Sequence, residues 1–253
     1  MRTNDPYAQA AVWDTYHAGS KELNPQGWWV PDLLPFLTTA GARTVLDVGC
    51  GTGGDAVSLA KIGLHVTAMD YSEVALARAR AKAKASGVVV DFRQSDMALP
   101  FPFADSDFDA VMSNVALHMF DEQTTRRIIG EMRRVLRPSG LLLLHVNSTE
   151  DMPYREERLG RLRVQTLEPN FYREANGQTM HFFSEQYCRD VLADWTMVDL
   201  THLRLHDEAG TIIKCVWRCV AQKKASSLSP EEKTNFPKTA IYGRGERGGQ
   251  FMP

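Results

Sequence analysis

Three carboxylates stand where chemistry could be done. Asp47 lies two residues ahead of the run Gly49-Cys50-Gly51-Thr52-Gly53-Gly54, Asp70 follows Gly49 by 21 residues, and Asp96 follows Asp70 by 26. Glycines spaced as Gly49-x-Gly51-x-x-Gly54, after a strand and before a helix, form a turn whose backbone a nucleotide can approach closely. The acids decide which nucleotide. A carboxylate at Asp47 repels a pyrophosphate and attracts an ammonium group. At ~4 Å and an effective dielectric of ~20, one such pair is worth on the order of 4 kcal/mol before desolvation. Asp70 can accept from both hydroxyls of an unmodified ribose and repels a 2′-phosphate, which argues against NADP. Asp96 can accept from the exocyclic amine of a purine, and Tyr71 can stack on that base. An amine and sulfonium site, a ribose site and an adenine site in this order match the groups of S-adenosylmethionine.

The elements that must position these acids alternate along the chain. Thr44-Val45-Leu46-Asp47-Val48 reads as a strand, and a helix bearing Ala56, Leu59 and Ala60 stops at Gly63. His65 to Met69 is a second strand ending at Asp70. Ser72 caps an alanine-rich helix that ends near Gly87. Strands are expected at residues 88–92 and 108–112. Ile128, Met132, Val135 and Leu136 mark an amphipathic helix stopped at Pro138-Ser139-Gly140, and residues 141–146 make a fifth strand, apolar throughout. This order implies an α/β fold, a doubly wound and mostly parallel seven-stranded sheet with helices on both faces. Ligands in such sheets sit beyond the strands' carboxyl ends. Ser184 caps a further helix. Strands over 196–205 and 211–221, joined by a short turn, can only be an antiparallel terminal hairpin.

Val45-Leu46-Asp47-Val48-Gly49-Cys50-Gly51-Thr52-Gly53 resembles the first motif of class I S-adenosylmethionine-dependent methyltransferases. Met69-Asp70-Tyr71-Ser72 is similar to the second motif and Ser95-Asp96-Met97 to the third. Phe108 to Asn114 resembles the fourth strand, and Leu136-Arg137-Pro138-Ser139-Gly140-Leu141 the turn into the fifth. The resemblance covers residues 43–147 and implies S-adenosylmethionine as cofactor. It places Asp47 and the backbone at Gly49, Cys50 and Gly51 against the methionine part and Asp70 on the ribose. Asp96 and the main chain of Met97 go to adenine, and Asn114 and Val115 near the sulfur. Tyr16 is a candidate for the cofactor carboxylate.

Methyl transfer is an in-line displacement in which positioning supplies most of the acceleration, so the acceptor is poorly encoded. Residues after the fourth strand read Ser113-Asn114-Val115-Ala116. The Asn/Asp-Pro-Pro-aromatic signature of amino-methylating DNA and RNA enzymes is absent, as is any Pro-Cys nucleophile. The acceptor pocket should come from an N-terminal helical lid (residues 1–40) and an insertion at 147–183, expected to be polar and irregular. Trp13, Trp28, Trp29, Tyr172 and His181 are its candidate lining, and such an aromatic pocket suits a small organic acceptor. Pro25, Pro31 and Pro35 are expected to break the lid into short pieces. His118 and His145, on the reactive edge, are candidate general bases because imidazole titrates near neutrality. Cys50 serves as a small residue of the cofactor loop. The arginines over 155–163 read either as a solvated helix face or as a clamp for an anionic acceptor.

Composition sets the outer bounds. The chain has 253 residues, 43% hydrophobic and 24% charged, with a net charge of −2. It lacks the basic excess of most phosphate-binding nucleic-acid proteins. No apolar run approaches the ~20 residues of a membrane helix. Four scattered cysteines form no disulfide framework, and no spacing matches a zinc site, so a cytoplasmic, metal-free protein is expected. Residues 41–222 are read as the methyltransferase domain and 223–253 as a tail with six basic and three acidic residues. The reading is a methyltransferase acting on a small molecule, with no nucleic-acid or membrane partner. A peptide or protein methyltransferase, a NAD-dependent oxidoreductase and a non-catalytic binding module are the alternatives.

Overall fold

The computed structural model describes Asp14, Ala18, residues 29–153, Arg155, and residues 164–174, 177–207 and 209–224. Seven strands form one sheet in the order β3-β2-β1-β4-β5-β10-β9. They are β1 (Thr44–Val48), β2 (His65–Asp70), β3 (Asp91–Gln94), β4 (Phe108–Asn114), β5 (Leu136–Asn147), β9 (Thr196–His206) and β10 (Ile212–Gln222). The first five run parallel, and β10 pairs antiparallel with both β5 and β9. The strand order reverses between β1 and β4, so the carboxyl ends of those two strands border a crevice.

Helices α1 (Val30–Thr39), α2 (Gly54–Lys61), α3 (Glu73–Ala85), α4 (Glu122–Val135) and α5 (Glu185–Val191) cover the sheet. One buried cluster gathers Val45, Ala56, Leu59, Leu141, Leu143 and Val216 under Trp29, Leu33 and Leu37 of the α1 side. The other gathers Leu46, Val48, Leu142, Leu144 and Val146 under Ile128, Met132 and Val135 of α4. Strand β5 therefore sends its odd-numbered side chains to α1 and its even-numbered ones to α4, as a pleated strand covered on both faces must.

Side-chain oxygens start three of these helices. Ser72 Oγ accepts from Ala75 N at 3.1 Å, Asp121 from Thr124 N at 2.7 Å and Ser184 from Tyr187 N at 3.1 Å. Ser72 is fully buried and its hydroxyl also donates to Asp14. Ser72→Ala should cost about 1–2 kcal/mol, read as a fall of several degrees in thermal unfolding.

Three elements differ from the sequence reading. The helix α1 runs unbroken through Pro31 and Pro35. Pro31 sits in the first turn, where no backbone donor is needed, and burial of Leu33 and Leu37 holds the helix together across Pro35. The insertion is not irregular throughout: β6 (Val164–Glu168), β7 (Phe171–Glu174) and β8 (Thr179–His181) form a separate antiparallel sheet. The strand β5 begins at Leu136, directly after α4, so the helix ends before Pro138 rather than at it.

Candidate functional site

The glycine turn follows β1 at the carboxyl edge of the sheet. Gly49, Gly51 and Gly53 all have positive φ, at 75°, 53° and 74°. Both Gly49 N and Cys50 N donate to Met69 O, at 2.8 and 3.0 Å, which ties the turn to the end of β2. A Cβ on Gly49 would stand 2.6 Å from Ala116 Cβ and 2.7 Å from Met97 Cε. The turn is thus packed between the segments that follow β3 and β4, and Gly49, Met97 and Ala116 share one place. The Cys50 thiol is half-buried; desolvation, with Asp70 and Asp47 close by, pushes its pKa well up and keeps it an unreactive thiol.

Asp70 closes the turn from the other side. Its Oδ2 accepts from Gly51 N at 2.7 Å and its Oδ1 from Ser72 N at 2.9 Å. Two backbone donors fix the carboxylate plane at the mouth of the crevice. Tyr71 is half-buried beside it, and its carbonyl accepts from Gln94 at 3.2 Å. Asp96 is also half-buried; its Oδ1 accepts from Ala98 N at 2.8 Å, and Met97 packs on the core.

Behind the turn lies Asp47, only 2% exposed, with Oδ2 lacking a hydrogen-bond partner among the described residues. Its pKa is raised well above the usual carboxylate range, first by burial and then by the charges of Asp55 and Asp70. Three acids therefore crowd one place, and a cation placed there would relieve both the repulsion and the desolvation. Asp55 is the member the sequence reading missed. It sits in the first turn of α2, where an acid also reads as a plain partner of the helix dipole. The only signal was its position one residue after the glycine run.

Asp55 leads to the sheet's next two strands. Its Oδ2 accepts from Asn114 Nδ2 at 3.0 Å, and Asn114 Oδ1 faces His145 Nδ1 at 2.8 Å. Since a carboxylate only accepts, it fixes the Asn114 amide, and the amide oxygen in turn requires the proton of His145 to be on Nδ1. The His145 ring is fully buried and stacks on Trp29, ring centroids 4.2 Å apart. Burial and Arg218 hold its pKa down to about 3. Next to Asn114, Val115 adopts φ of 56°, a left-handed conformation costly for a β-branched residue, while its N–H donates to His145 O at 2.8 Å.

His118 is 2% exposed, in the short turn after β4, and burial, Lys214, Arg155 and His181 hold its pKa well below 6.5. Both histidines singled out as bases are therefore neutral and weakly basic here. His181 Nδ1 donates to Phe120 O at 3.1 Å, and its ring packs among Phe171, Phe183 and Tyr187. Tyr172 packs edge-on against Phe182. Trp13, Tyr16 and Trp28 lie outside the described residues. Among the described residues no cluster of His, Cys, Asp or Glu is arranged to hold a metal ion, and no helix is long and apolar enough to cross a membrane. A cleft lined by Thr44, His65, Arg93 and Phe103 opens at the amino ends of β1 and β2, remote from these groups.

Residues 45–140 match the family model described as a methyltransferase domain. A demethylmenaquinone methyltransferase of Clavibacter sepedonicus is 36% identical over 130 residues, 51% of either chain. A glycine/sarcosine N-methyltransferase of Parasynechococcus marenigrum is 35% identical over 152 residues, 57% of this chain and 53% of that one. The chain thus spans about half the length of these curated relatives. Among solved structures, the 1,6-didemethyltoxoflavin-N1-methyltransferase of Burkholderia thailandensis, bound to 1,6-didemethyltoxoflavin and S-adenosylhomocysteine, superposes with a TM-score of 0.65 over 87% of this chain and 91% of its own, at 22% identity.

Proposed function

We propose that this chain, whose residues 45–140 belong to the class I S-adenosylmethionine-dependent methyltransferases, transfers the cofactor's methyl group to a small organic acceptor. The observation that carries the reading is the crowding of Asp47, Asp55 and Asp70 around a glycine turn, with Asp47 Oδ2 buried and unpartnered. That site suits a bound cation and is hostile to a phosphate, which disfavours a NAD-dependent oxidoreductase. The small acceptor is supported by the substrates named for the relatives, a demethylated quinone, glycine and sarcosine, and a toxoflavin precursor. It is also supported by the aromatic stack of Trp29 on His145, ring centroids 4.2 Å apart.

When bound, the cofactor supplies an electrophilic methyl carbon on a sulfonium whose thioether is a good leaving group. The chain's own work is to bind and to aim. Asp47, with the backbone at Gly49, Cys50 and Gly51, holds the ammonium end. Asp70, already locked by two N–H groups, takes the ribose hydroxyls. Asp96 and the Met97 main chain hold the adenine, with Tyr71 against its face. Asn114 and the strained Val115 would stand at the sulfur; Tyr16, outside the described residues, is assigned to the carboxylate by the family resemblance alone. Trp29, stacked on His145, and Tyr172 and His181, packed with Phe182 and with Phe171 and Phe183, are assigned to the acceptor side; Trp13 and Trp28, the other candidates, lie outside the described residues. His118 and His145 enter as neutral groups, so they hydrogen-bond the acceptor and take a proton only weakly.

Radiolabelled methyl transfer from S-adenosylmethionine to panels of phenols, amines, thiols, peptides and transfer RNA tests this reading. Label in a small organic product is expected. Transfer confined to peptide or RNA would contradict it.

Asp47 also sets a pH dependence. Its folded pKa is raised, so between its ordinary value near 3.8 and that raised value the unfolded chain ionises while the native state keeps the proton. The ligand-free fold therefore loses stability as pH rises through that window. An ammonium group pulls the carboxyl back to its ionised form. Binding of S-adenosylhomocysteine should release a proton below the raised value and tighten with rising pH. Calorimetry in buffers of different ionisation heat reads that release, and Asp47→Asn should abolish it.

A further inference from the structure

Strand β5 ends on Asn147, whose side chain leaves both of its polar atoms unpartnered among the described residues. It is fully buried, and neither its Nδ2 nor its Oδ1 has a hydrogen-bond partner. Two residues earlier on the same face, the buried His145 Nε2 also lacks one. Burying one such group without a partner is costly, and native proteins seldom keep several together unless something else fills the place.

These atoms share one location. Odd-numbered side chains of β5 face α1, as Leu141 and Leu143 do beside Trp29 and Val216. Asn147 pairs with Val216 across the sheet, and His145 pairs with Asn114 on β4. Asn147 is therefore one pleat beyond Asn114 and His145, just past the carboxyl edge where the cofactor's methyl group must be presented. Its backbone is already used, because its carbonyl accepts from Phe183 N at 2.7 Å. Only the side chain is left to face a ligand.

The chemistry of the set is defined. The chain from Asp55 through Asn114 puts the ring proton of His145 on Nδ1, so Nε2 presents a lone pair. Asn147 presents one acceptor oxygen and an amide donor. Two acceptor atoms beside a single uncharged amide NH2 carry no positive charge, which makes a poor seat for an anion and a good one for a neutral edge carrying N–H or O–H groups beside a carbonyl.

We propose that Asn147 and His145 Nε2 form an acceptor-recognition seat for a neutral amide- or lactam-type edge, and that it selects against substrates with a carboxylate or phosphate at that point. This rests on the methyltransferase reading above. Asn147 and His145 are specificity-determining here. The basic groups around His118 (Arg155, Lys214 and His181) offer the contrary, anion-binding outcome.

The test uses the full chain loaded with S-adenosylhomocysteine. Failure of that loading step would count against the cofactor reading and not against the seat. The probes are 2-pyridone, a neutral lactam, and benzoate, a carboxylate of similar size. The readouts are the ¹⁵N signal of His145 Nε2 in histidine-labelled protein and the thermal midpoint of Asn147→Leu. We expect 2-pyridone to move the Nε2 signal and benzoate to leave it in place. Asn147→Leu should weaken 2-pyridone binding about tenfold or more. It should also raise the melting temperature of the ligand-free protein, because an unpartnered amide is replaced by an apolar group of like size. Tighter binding of benzoate, an unmoved Nε2 signal, or a lower melting temperature in Asn147→Leu would each overturn the proposal.

Discussion

Asp70→Ala should reduce the affinity for S-adenosylhomocysteine by roughly 100-fold or more while the protein remains folded. The carboxylate accepts from Gly51 N at 2.7 Å and Ser72 N at 2.9 Å, both charge-assisted. Bonds to charged groups contribute about 1.5–3 kcal/mol each. Removing them frees Gly51 and Ser72, while Gly49 N and Cys50 N still hold the turn to Met69 O, and removes the ribose partner in the same step. The site is half-buried, so water can take over the freed N–H groups and the stability loss should stay near that of an ordinary substitution. Calorimetric titration with far-ultraviolet circular dichroism as the folding control checks this. Asp70→Asn should fall between, since an amide can accept from one of the two N–H groups but not from both.

The second large effect is expected at Gly49→Ala, and it falls on the fold as well as the site. The residue sits at φ 75°, where an L side chain pays about 1–2 kcal/mol. Its added methyl would lie 2.6 Å from Ala116 Cβ, which cannot rotate away. Overpacking of this kind costs a further ~1–3 kcal/mol. Destabilisation on the order of 2–5 kcal/mol is expected in denaturant unfolding, together with lost cofactor binding. Gly63→Ala is the control: its φ is 92° but nothing lies within 4 Å of the added methyl, so only the backbone cost should remain.

These two positions are legible in the sequence because local chemistry dictates them. A glycine turn between a strand and a helix, and an acid at the end of the next strand, need only the alternation of elements to be found. The caps Ser72 and Ser184 were equally plain, since a hydroxyl before a helical run has one obvious task. What stayed hidden depends on contacts across the sheet. Asp55 looked like any acid at a helix start until Asn114 was seen to share its carboxylate. Asn147 looked like the polar end of a strand, and its isolation in the interior is a property of packing alone. The small sheet of β6, β7 and β8 was hidden by its polar edges: β6 is largely exposed, so it lacks the apolar run that announces a core strand. Pro31 and Pro35 misled because tertiary burial of Leu33 and Leu37 overrode a local breaker. His118 and His145 were read from their reference pKa, and burial then removed the charge change that made them attractive bases.

A crystal structure of the protein grown with S-adenosylhomocysteine would test the central claim most directly. The expected result is the amino group at Asp47, the ribose hydroxyls on Asp70, the adenine at Asp96 and the Met97 backbone, and the sulfur edge facing Asn114 and Val115. A nucleoside bound elsewhere, or one whose ribose makes no contact with Asp70, would contradict it.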